Sequence, residues 1–498
     1  MEESKNQQSL DGLISKGSPS TLPLIIQTIA TLEDPLLKEG YVSAVAKKFR
    51  VSKKSISQML QAMSNQQTDD SDVKAIVSAN FEGLIDLTSD NQGNAVFLVS
   101  PPLIGGLEQH YSWSDGINDF VPPSIDKIPF LLPRAQEVLN HYSHDDKELM
   151  PDLLKYLLRF CYLRDGQAII VASAIFASYL QDHTDIHYLP IISLVAEPAH
   201  GKSRLGKAAA YASYRGVVLN GIREAHIIRL AEDYAASIFI DLRSAWKKIA
   251  AEKCEDLILG RYEKGHQVMR VISPEKGAFA DSRFFKAYGT TYIASNEPLD
   301  RILETRCIPI FMEHHPNEFE NPTEQHGLEM RERLVAWRAK NLYKSLPTVD
   351  QVEGLQGRFW DISSTLLKIC TMVNPDYYEM LKSELIRIGV EKVELKRSSW
   401  EGTIIQNIMN LAVSSNISNN GLVQMNVLLT NLNKMLPNGR NISSQYLGLK
   451  LKGMGIKTKH IKGHSNIVID RVQIDQLCQQ YGIKTPDVTG PVKDSNLD

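Results

Sequence analysis

Tyr188-Leu-Pro-Ile-Ile-Ser-Leu-Val-Ala-Glu-Pro-Ala-His-Gly-Lys-Ser-Arg-Leu-Gly-Lys207 decides the fold. Ile191 to Val195 is an apolar run between Pro190 and a turn-rich segment, the pattern of a buried strand. Ala196 to Ser203 is a loop, and Arg204 to Tyr211 is a helix-forming run. A phosphate-binding loop needs this strand, loop and helix, with Gly201-Lys202-Ser203 at the helix entrance. Glu197, Pro198, Ala199, His200, Gly201, Lys202, Ser203 and Arg204 then form a nucleotide-binding loop whose backbone N–H groups wrap the phosphates. Lys202 meets the β/γ charge, and the Ser203 hydroxyl ligates Mg²⁺. Ala196 stands where the motif's first glycine usually does. A chance Gly-Lys-Ser at a helix start is the competing reading, and the flanking strand and helix weigh against it.

Downstream, Gly216-Val-Val-Leu-Asn-Gly221 reads as a second strand, and a helix follows through Ile227, Ile228 and Leu230. Ala236-Ser-Ile-Phe-Ile-Asp241 is a third strand whose terminal Asp241 is placed to orient Mg²⁺; the plainer alternative is a helix-capping aspartate. Gly265 to Ile272, and Ala278-Phe279 onward, read as two strands around the Ser273-Pro-Glu-Lys-Gly277 turn. Tyr288 to Asn296 is a fourth core strand with a polar amide at its end. Arg301 to Met312 is a short helix running into a fifth strand. Strands alternating with helices predict an α/β layered domain with a mostly parallel sheet.

Upstream, residues 1–62 read as a small helical domain. Leu24, Ile25, Thr28, Ile29 and Leu32 keep helical spacing, and Val51 to Leu60 carries an N-cap serine ahead of a further helix. A helix-turn-helix touching DNA and a helical docking bundle both fit that pattern. Residues 63–72 form a polar linker, and 73–134 a small β-rich or mixed α/β domain with no evident chemistry. Residues 135–345 hold the phosphate-loop core with its helical lead-in, and 346–400 a helical lid or connector.

Net charge is −3 over 498 residues, so no global field draws the chain to nucleic acid, and such binding must come from local patches. The five cysteines form no CxxC pair, which argues against a zinc site or a disulfide frame. The polar N-terminus reads as no signal peptide. The longest apolar stretch, Ala168 to Leu180, is too short to span a bilayer. No membrane partner and a cytoplasmic location are expected.

The order of these features, together with Glu263-Lys-Gly-His-Gln-Val-Met-Arg270, Ala294-Ser-Asn-Glu-Pro298 and Thr305-Arg-Cys-Ile-Pro-Ile310, resembles the AAA+ replicative helicases of bacterial plasmids, phages and integrated mobile elements, relatives of the MCM helicases. The resemblance covers residues 150–345 well and reaches a C-terminal winged helix less strongly. It implies that Asn296 is the sensor that helps place the attacking water. It also implies that Arg306, with Arg301 as the alternative, is a finger reaching the γ-phosphate of a neighbouring subunit. The hairpin before Asn296 would enter a central channel with Lys276 at its tip on single-stranded DNA. A surface salt bridge for Arg306 and a solvated turn for Lys276 are the plainer alternatives. One departure stands out: Leu242 follows Asp241 where the family usually has glutamate. Glu197 or Glu263 is a candidate replacement; slow hydrolysis is the other outcome.

Residues 401–485 read as helix, helix and hairpin, a winged helix in which Lys450, Lys452, Lys457, Lys459 and Lys462 concentrate charge for phosphate contact. A solvated hairpin is the alternative, and 486–498 reads as a disordered tail. The expectation is an ATP- and Mg²⁺-dependent DNA helicase acting as a ring, most simply a hexamer, on single-stranded and forked DNA. A primase or initiator protein would be a further partner. Two rivals stay open: an ATP-driven loader or initiator, and an ATP- and DNA-binding scaffold with little hydrolysis.

Overall fold

The computed structural model describes residues 14, 22–30, 35–49, 53, 56, 75–100, 106–241, 245–273, 275, 277, 280–296, 299–414, 420–436, 441–461 and 463–484. The expected linker 63–72, most of the turn and helix at 51–60, Leu242, Lys276, Lys462 and the tail 486–498 lie outside them. The chain divides into two compact units. One comprises Met1–Leu163, Val171–Asp300 and Phe311–Leu346; the other comprises Arg164–Ile170, Arg301–Ile310 and Pro347–Asp498.

In the first unit, helices α1 (Leu22–Ala30) and α2 (Pro35–Phe49) bury Ile25, Ile26, Ile29, Val42 and Val45 together. A β-rich segment follows. Strands β1 (Ile76–Val77), β2 (Leu84–Ser89), β3 (Ala95–Val99), β4 (Glu108–His110), β5 (Trp113–Ser114) and β6 (Asp119–Val121) form two three-stranded sheets, ordered β2-β3-β4 and β1-β6-β5. Leu87, Phe97, Val99 and Phe120 make their core. Helices α3 (Ala135–Tyr142), α4 (Leu149–Leu158) and α5 (Asp165–Tyr179) lead into the main sheet.

That sheet is built from β7 (Ile191–Val195), β8 (Val217–Leu219), β9 (Ile238–Asp241), β12 (Thr291–Ser295) and β13 (Cys307–Phe311), ordered β13-β7-β12-β9-β8. The pairs of β12 with β7, β12 with β9 and β8 with β9 are parallel. Parallel strands need crossovers, supplied here by α6 (Lys202–Ala212) after β7 and α7 (Glu224–Glu232) after β8. After β9 come α8 (Ala245–Ala251), α9 (Glu255–Gly260) and an antiparallel hairpin of β10 (Gln267–Val271) and β11 (Ser282–Lys286). The second hairpin strand is described from Ser282, and Ala278 and Phe279, where the sequence places its start, lie outside the described residues. Helix α10 (Arg301–Glu304) precedes β13, and α11 (Glu324–Asn341) follows it.

Buried arginines hold the first unit together. Arg215, directly ahead of β8, is fully buried and donates to Asp86 of β2 (2.7 Å), the Ala79 carbonyl (2.7 Å) and the Tyr234 carbonyl (2.9 Å). Arg338 of α11 grips both Asp182 carboxylate oxygens (2.6 Å each) and donates to the Ile85 carbonyl (2.8 Å). A buried charge persists only where such partners replace its water. The β-rich segment is therefore fixed to the sheet by charge-assisted hydrogen bonds as well as apolar contact.

The second unit adds α12 (Gly357–Val373), α13 (Tyr378–Arg397), α14 (Trp400–Ser414), β14 (Asn420–Gln424), α15 (Met425–Met435), α16 (Ser444–Gly453), β15 (Thr458–Ile461), β16 (His464–Asp470) and α17 (Arg471–Gln480). Its three strands form an antiparallel sheet ordered β14-β16-β15. Ile404, Ile408, Leu428, Leu432, Leu447, Leu451 and Ile467 make one core across helices and sheet. Ser443 caps α16 by accepting from the Tyr446 N–H, as its N-cap position predicts.

Glu401, at the start of α14, accepts from Arg301 (2.9 Å) and Lys450 (2.8 Å). Burial alone would raise its carboxyl. Hydrogen bonds from Lys450, its own backbone N–H and Arg301 overcome this and hold the pKa at about 2, against an ordinary 4.5. A depressed carboxylate stabilises the fold above pH 4.5, and that contribution is lost as pH falls toward 2. Glu401→Gln should therefore cost about 2 kcal/mol at pH 7. Urea midpoints of the two proteins should converge below pH 4.5, starting from a full gap at neutral pH. A gap that stays constant down to pH 3 (about 1.5 units below the ordinary value) would remove the ion pair as its cause.

Candidate functional site

Strand β7 is where the order of the main sheet reverses. The chain leaves it for β8 at the far edge, returns through β9 and β12, and places β13 on the other side. Ligands of open α/β sheets bind beyond the carboxyl ends of the strands at such a switch. Residues 196–201, the loop at the end of β7, lie at that point.

The loop geometry follows from its residues. Gly201 takes φ +83° at the N-cap of α6, a conformation that glycine adopts without penalty. A Cβ there would stand 3.5 Å from Cys161 Cβ and 3.6 Å from Met312 Cε. Ala199 also has positive φ, +68°, which is uncommon for a residue with a Cβ. The helix starts at Lys202, two residues before the expected Arg204, so both Lys202 and Ser203 lie in its first turn. No side chain caps this turn and no acid occupies it, which leaves its N–H groups for an anion.

Lys202 is largely buried and donates from Nζ to the Ala196 and Glu197 carbonyls (2.6 Å each). Burial lowers its pKa, while the Glu197 and Asp241 carboxylates act in the opposite direction. His200 Nδ1 lies 2.9 Å from the Glu197 carbonyl and 3.0 Å from that of Pro198, folding the loop on itself. Ser203 is exposed, and Arg204 donates to Asn321 (3.0 Å). Glu197, Pro198 and Ala199 are all exposed on the loop.

Asp241 ends β9, and Asn296 directly follows β12 and is exposed. Because β12 pairs with β7 on one side and β9 on the other, Lys202, Asn296 and Asp241 share one rim of the sheet. Ser203 and Asp241 fit a Mg²⁺ ion, which takes few protein oxygens and completes its octahedron with phosphate and water. Among the described residues, no group of three or more His, Cys, Asp or Glu is placed to hold a metal by itself.

Glu263 is a correction. It forms an antiparallel bridge with Tyr188, ahead of the start of β7, and so sits at the opposite rim from Asp241. It cannot substitute for the missing glutamate there; Glu197 keeps that possibility by position.

Sequence reading missed Arg261. This fully buried guanidinium donates to Thr291 Oγ1 (2.6 Å) and to the carbonyls of Ala287 (3.0 Å), Ala236 (3.0 Å) and Thr290 (3.1 Å), with no carboxylate beside it among the described residues. Burial pushes it down to about 9. It ties the roots of β9, β12 and the hairpin together. Helical spacing held the signal: Arg261 falls on the face of the buried Leu257 and Ile258.

The hairpin lies along α7. Arg270 pairs with Glu224 at one end of that helix, and the Lys286 N–H donates to Glu232 (2.7 Å) at the other. On the opposite face, Met269 and Phe284 are cross-strand partners 52% and 59% exposed, with Val271 beside them.

In the second unit, Arg306 donates to the Ile302 carbonyl (2.8 Å) and the Thr305 hydroxyl (3.4 Å). Arg301 and Lys450 are held by Glu401, so Lys450 is a structural cation as well as a candidate contact. Lys452, Lys457 and Lys459 are exposed. All five cysteines are free and buried, and no helix among the described residues is long and apolar enough to cross a membrane.

No protein-family model and no curated protein matches the chain. Among solved structures, it is similar to one described as "SCCmec type IV Cch - active helicase" (TM-score 0.35, 12% identity, covering 89% of this chain and 88% of that one). It is also similar to the apo NrS-1 C-terminal region (TM-score 0.30, 11% identity, covering 78% of this chain and 96% of that one). Likeness at this level leaves the functional reading to the chain's own geometry.

Proposed function

We propose that this chain is an ATP-dependent DNA helicase of the AAA+ kind, working as a ring, most simply a hexamer, on single-stranded and forked DNA. The carrying observation is Lys202, Asn296 and Asp241 on one rim of a parallel sheet, at its switch point and beside an uncapped helix start. In this reading the first-turn N–H groups of α6 and Lys202 hold the β- and γ-phosphates of ATP. Ser203 and Asp241 would hold Mg²⁺, whose chemistry when bound is to neutralise phosphate charge. Asn296 orients the attacking water by hydrogen bond. Arg306 of one subunit stabilises the transferring phosphoryl group in the site of its neighbour.

The helix, helix and hairpin of residues 425–470 support a winged helix that contacts duplex phosphates through Lys452, Lys457 and Lys459, joined by Lys462. Lys276, which the sequence places between the two hairpin strands, contacts the single strand. A role in replicating a mobile genetic element, with a primase or initiator as partner, rests on the sequence resemblance alone. Phosphate release with and without single-stranded DNA, paired with strand displacement on a fork, tests the proposal. Turnover without displacement would favour the loader reading, and no turnover the scaffold reading.

The finger assignment has its own test. Arg306→Ala should bind ATP normally and lose about 10³-fold in turnover, the scale of an arginine finger. Mixed with Lys202→Ala protein, it should regain activity at interfaces pairing an intact loop with an intact finger. Full turnover by Arg306→Ala alone would show that the guanidinium serves only its own helix end.

A further inference from the structure

A second basic site lies on the same rim as the nucleotide loop. Beyond the carboxyl end of β8, a cavity of about 550 Å³ opens between the start of α7 and the side of α8. Asn220, Arg223, His226, Lys248 and Glu252 supply its polar lining. Arg223 and Lys248 are cations, and Glu252 is the one acid among these five. All five side chains are exposed, and Arg223, His226 and Lys248 make no ion pair or side-chain hydrogen bond with a described residue. Four arginines of this unit are by contrast tied to carboxylates: Arg215 to Asp86, Arg338 to Asp182, Arg333 to Asp146, Arg134 to Glu332. Cations gathered around a cavity and not paired with its one carboxylate are a device for binding anions.

The cavity is not part of the nucleotide site. Asp241 lies between them: Leu219 of β8 is registered with Ile240, and β8 stands three strand positions from β7. At the usual strand spacing that is roughly 14 Å. Its closer neighbour is the hairpin. Arg223 directly precedes Glu224, which Arg270 of β10 holds. The exposed apolar face of the hairpin, with Met269, Val271 and Phe284, is thus carried by the helix whose first turn borders the cavity. Single-stranded nucleic acid offers phosphates to such cations and bases to an exposed apolar face such as that of Met269 and Phe284.

We infer that this cavity binds a backbone phosphate of single-stranded DNA, with Arg223 and Lys248 as the charged contacts and His226 and Asn220 as polar ones. The inference rests on the proposed function, which supplies single-stranded DNA as the ligand. Open, exposed lining fits a polymer passing through better than an enclosed small anion.

The test uses the full chain and a fluorescent oligothymidylate titrated over a salt series. Arg223→Ala with Lys248→Ala should weaken binding about tenfold or more and lower the salt slope by about 1 to 2, one for each phosphate no longer neutralised. Arg223→Lys should keep most of the affinity, and Glu252→Gln should raise it about twofold by removing the opposing charge. ATP turnover without DNA should be unchanged in all three, which also reports intact folding. Excess inorganic phosphate should compete only weakly; competition at equal concentration would assign the cavity to free phosphate and overturn the inference. An unaltered affinity and salt slope in the double variant would overturn it while leaving the helicase reading in place. An unmodified protein that binds no oligothymidylate would overturn both.

Discussion

Replacing Lys202 with alanine should lower ATP turnover at least about 10²- to 10³-fold, the effect of removing one preorganised charge from a developing oxyanion. The ammonium is held by the loop's own carbonyls of Ala196 and Glu197, so it is already positioned at the helix start where the proposed function puts the phosphates. Asp241→Asn should cost a similar factor by a different route. It keeps shape and hydrogen bonding but lacks the charge that would hold Mg²⁺, so excess Mg²⁺ should restore part of its turnover and none of Lys202→Ala's. Phosphate release measured across a Mg²⁺ series checks both. Normal turnover in Lys202→Ala would end the nucleotide-site reading altogether.

The largest stability effect should come from Asp86→Ala. Arg215 and Asp86 are 0% and 1% exposed, and their contact is 2.7 Å. Removing the carboxylate strands a guanidinium where no water can reach it, at a cost of about 3–5 kcal/mol. Asp86→Ala combined with Arg215→Met should recover most of that stability, because a buried pair gives little net stability over an apolar replacement. Urea unfolding of both singles and the double closes the cycle. A double variant no more stable than Asp86→Ala would mean that the penalty is a packing defect, not stranded charge.

Much of the candidate site's local structure was legible because it is contiguous in sequence. Strand, loop and helix around Lys202 are contiguous, and the apolar run ending in Asp241 marks its own boundary. The strand order was not legible. That β12 separates β7 from β9 is a long-range pairing, and only that pairing puts Asn296 between Lys202 and Asp241. The same limit hid the difference between Glu197 and Glu263. Both are acids near the core in sequence, but Glu263 bridges Tyr188 at the wrong rim. Buried arginines were missed because composition treats arginine as surface, whereas Arg215, Arg261 and Arg338 are among the largest fully buried side chains. Lys450 shows the converse: a lysine in a basic run that proves to be half of a structural ion pair.

Arg261 gives the hairpin a mechanical character. Its guanidinium bonds Ala287, where the hairpin ends, and its own carbonyl accepts from the Gly289 N–H, so the chain leaving the hairpin is pinned at the root to the segment that leads into it. Those pins sit ahead of β12, at the end of the sheet away from Asp241 and Asn296. A beam clamped at its foot does not slide; it tilts about the clamp. Alongside this beam lies α7, which touches it through Glu224 and Glu232. In the proposed function Arg261 would then be the fulcrum about which α7 tilts the hairpin.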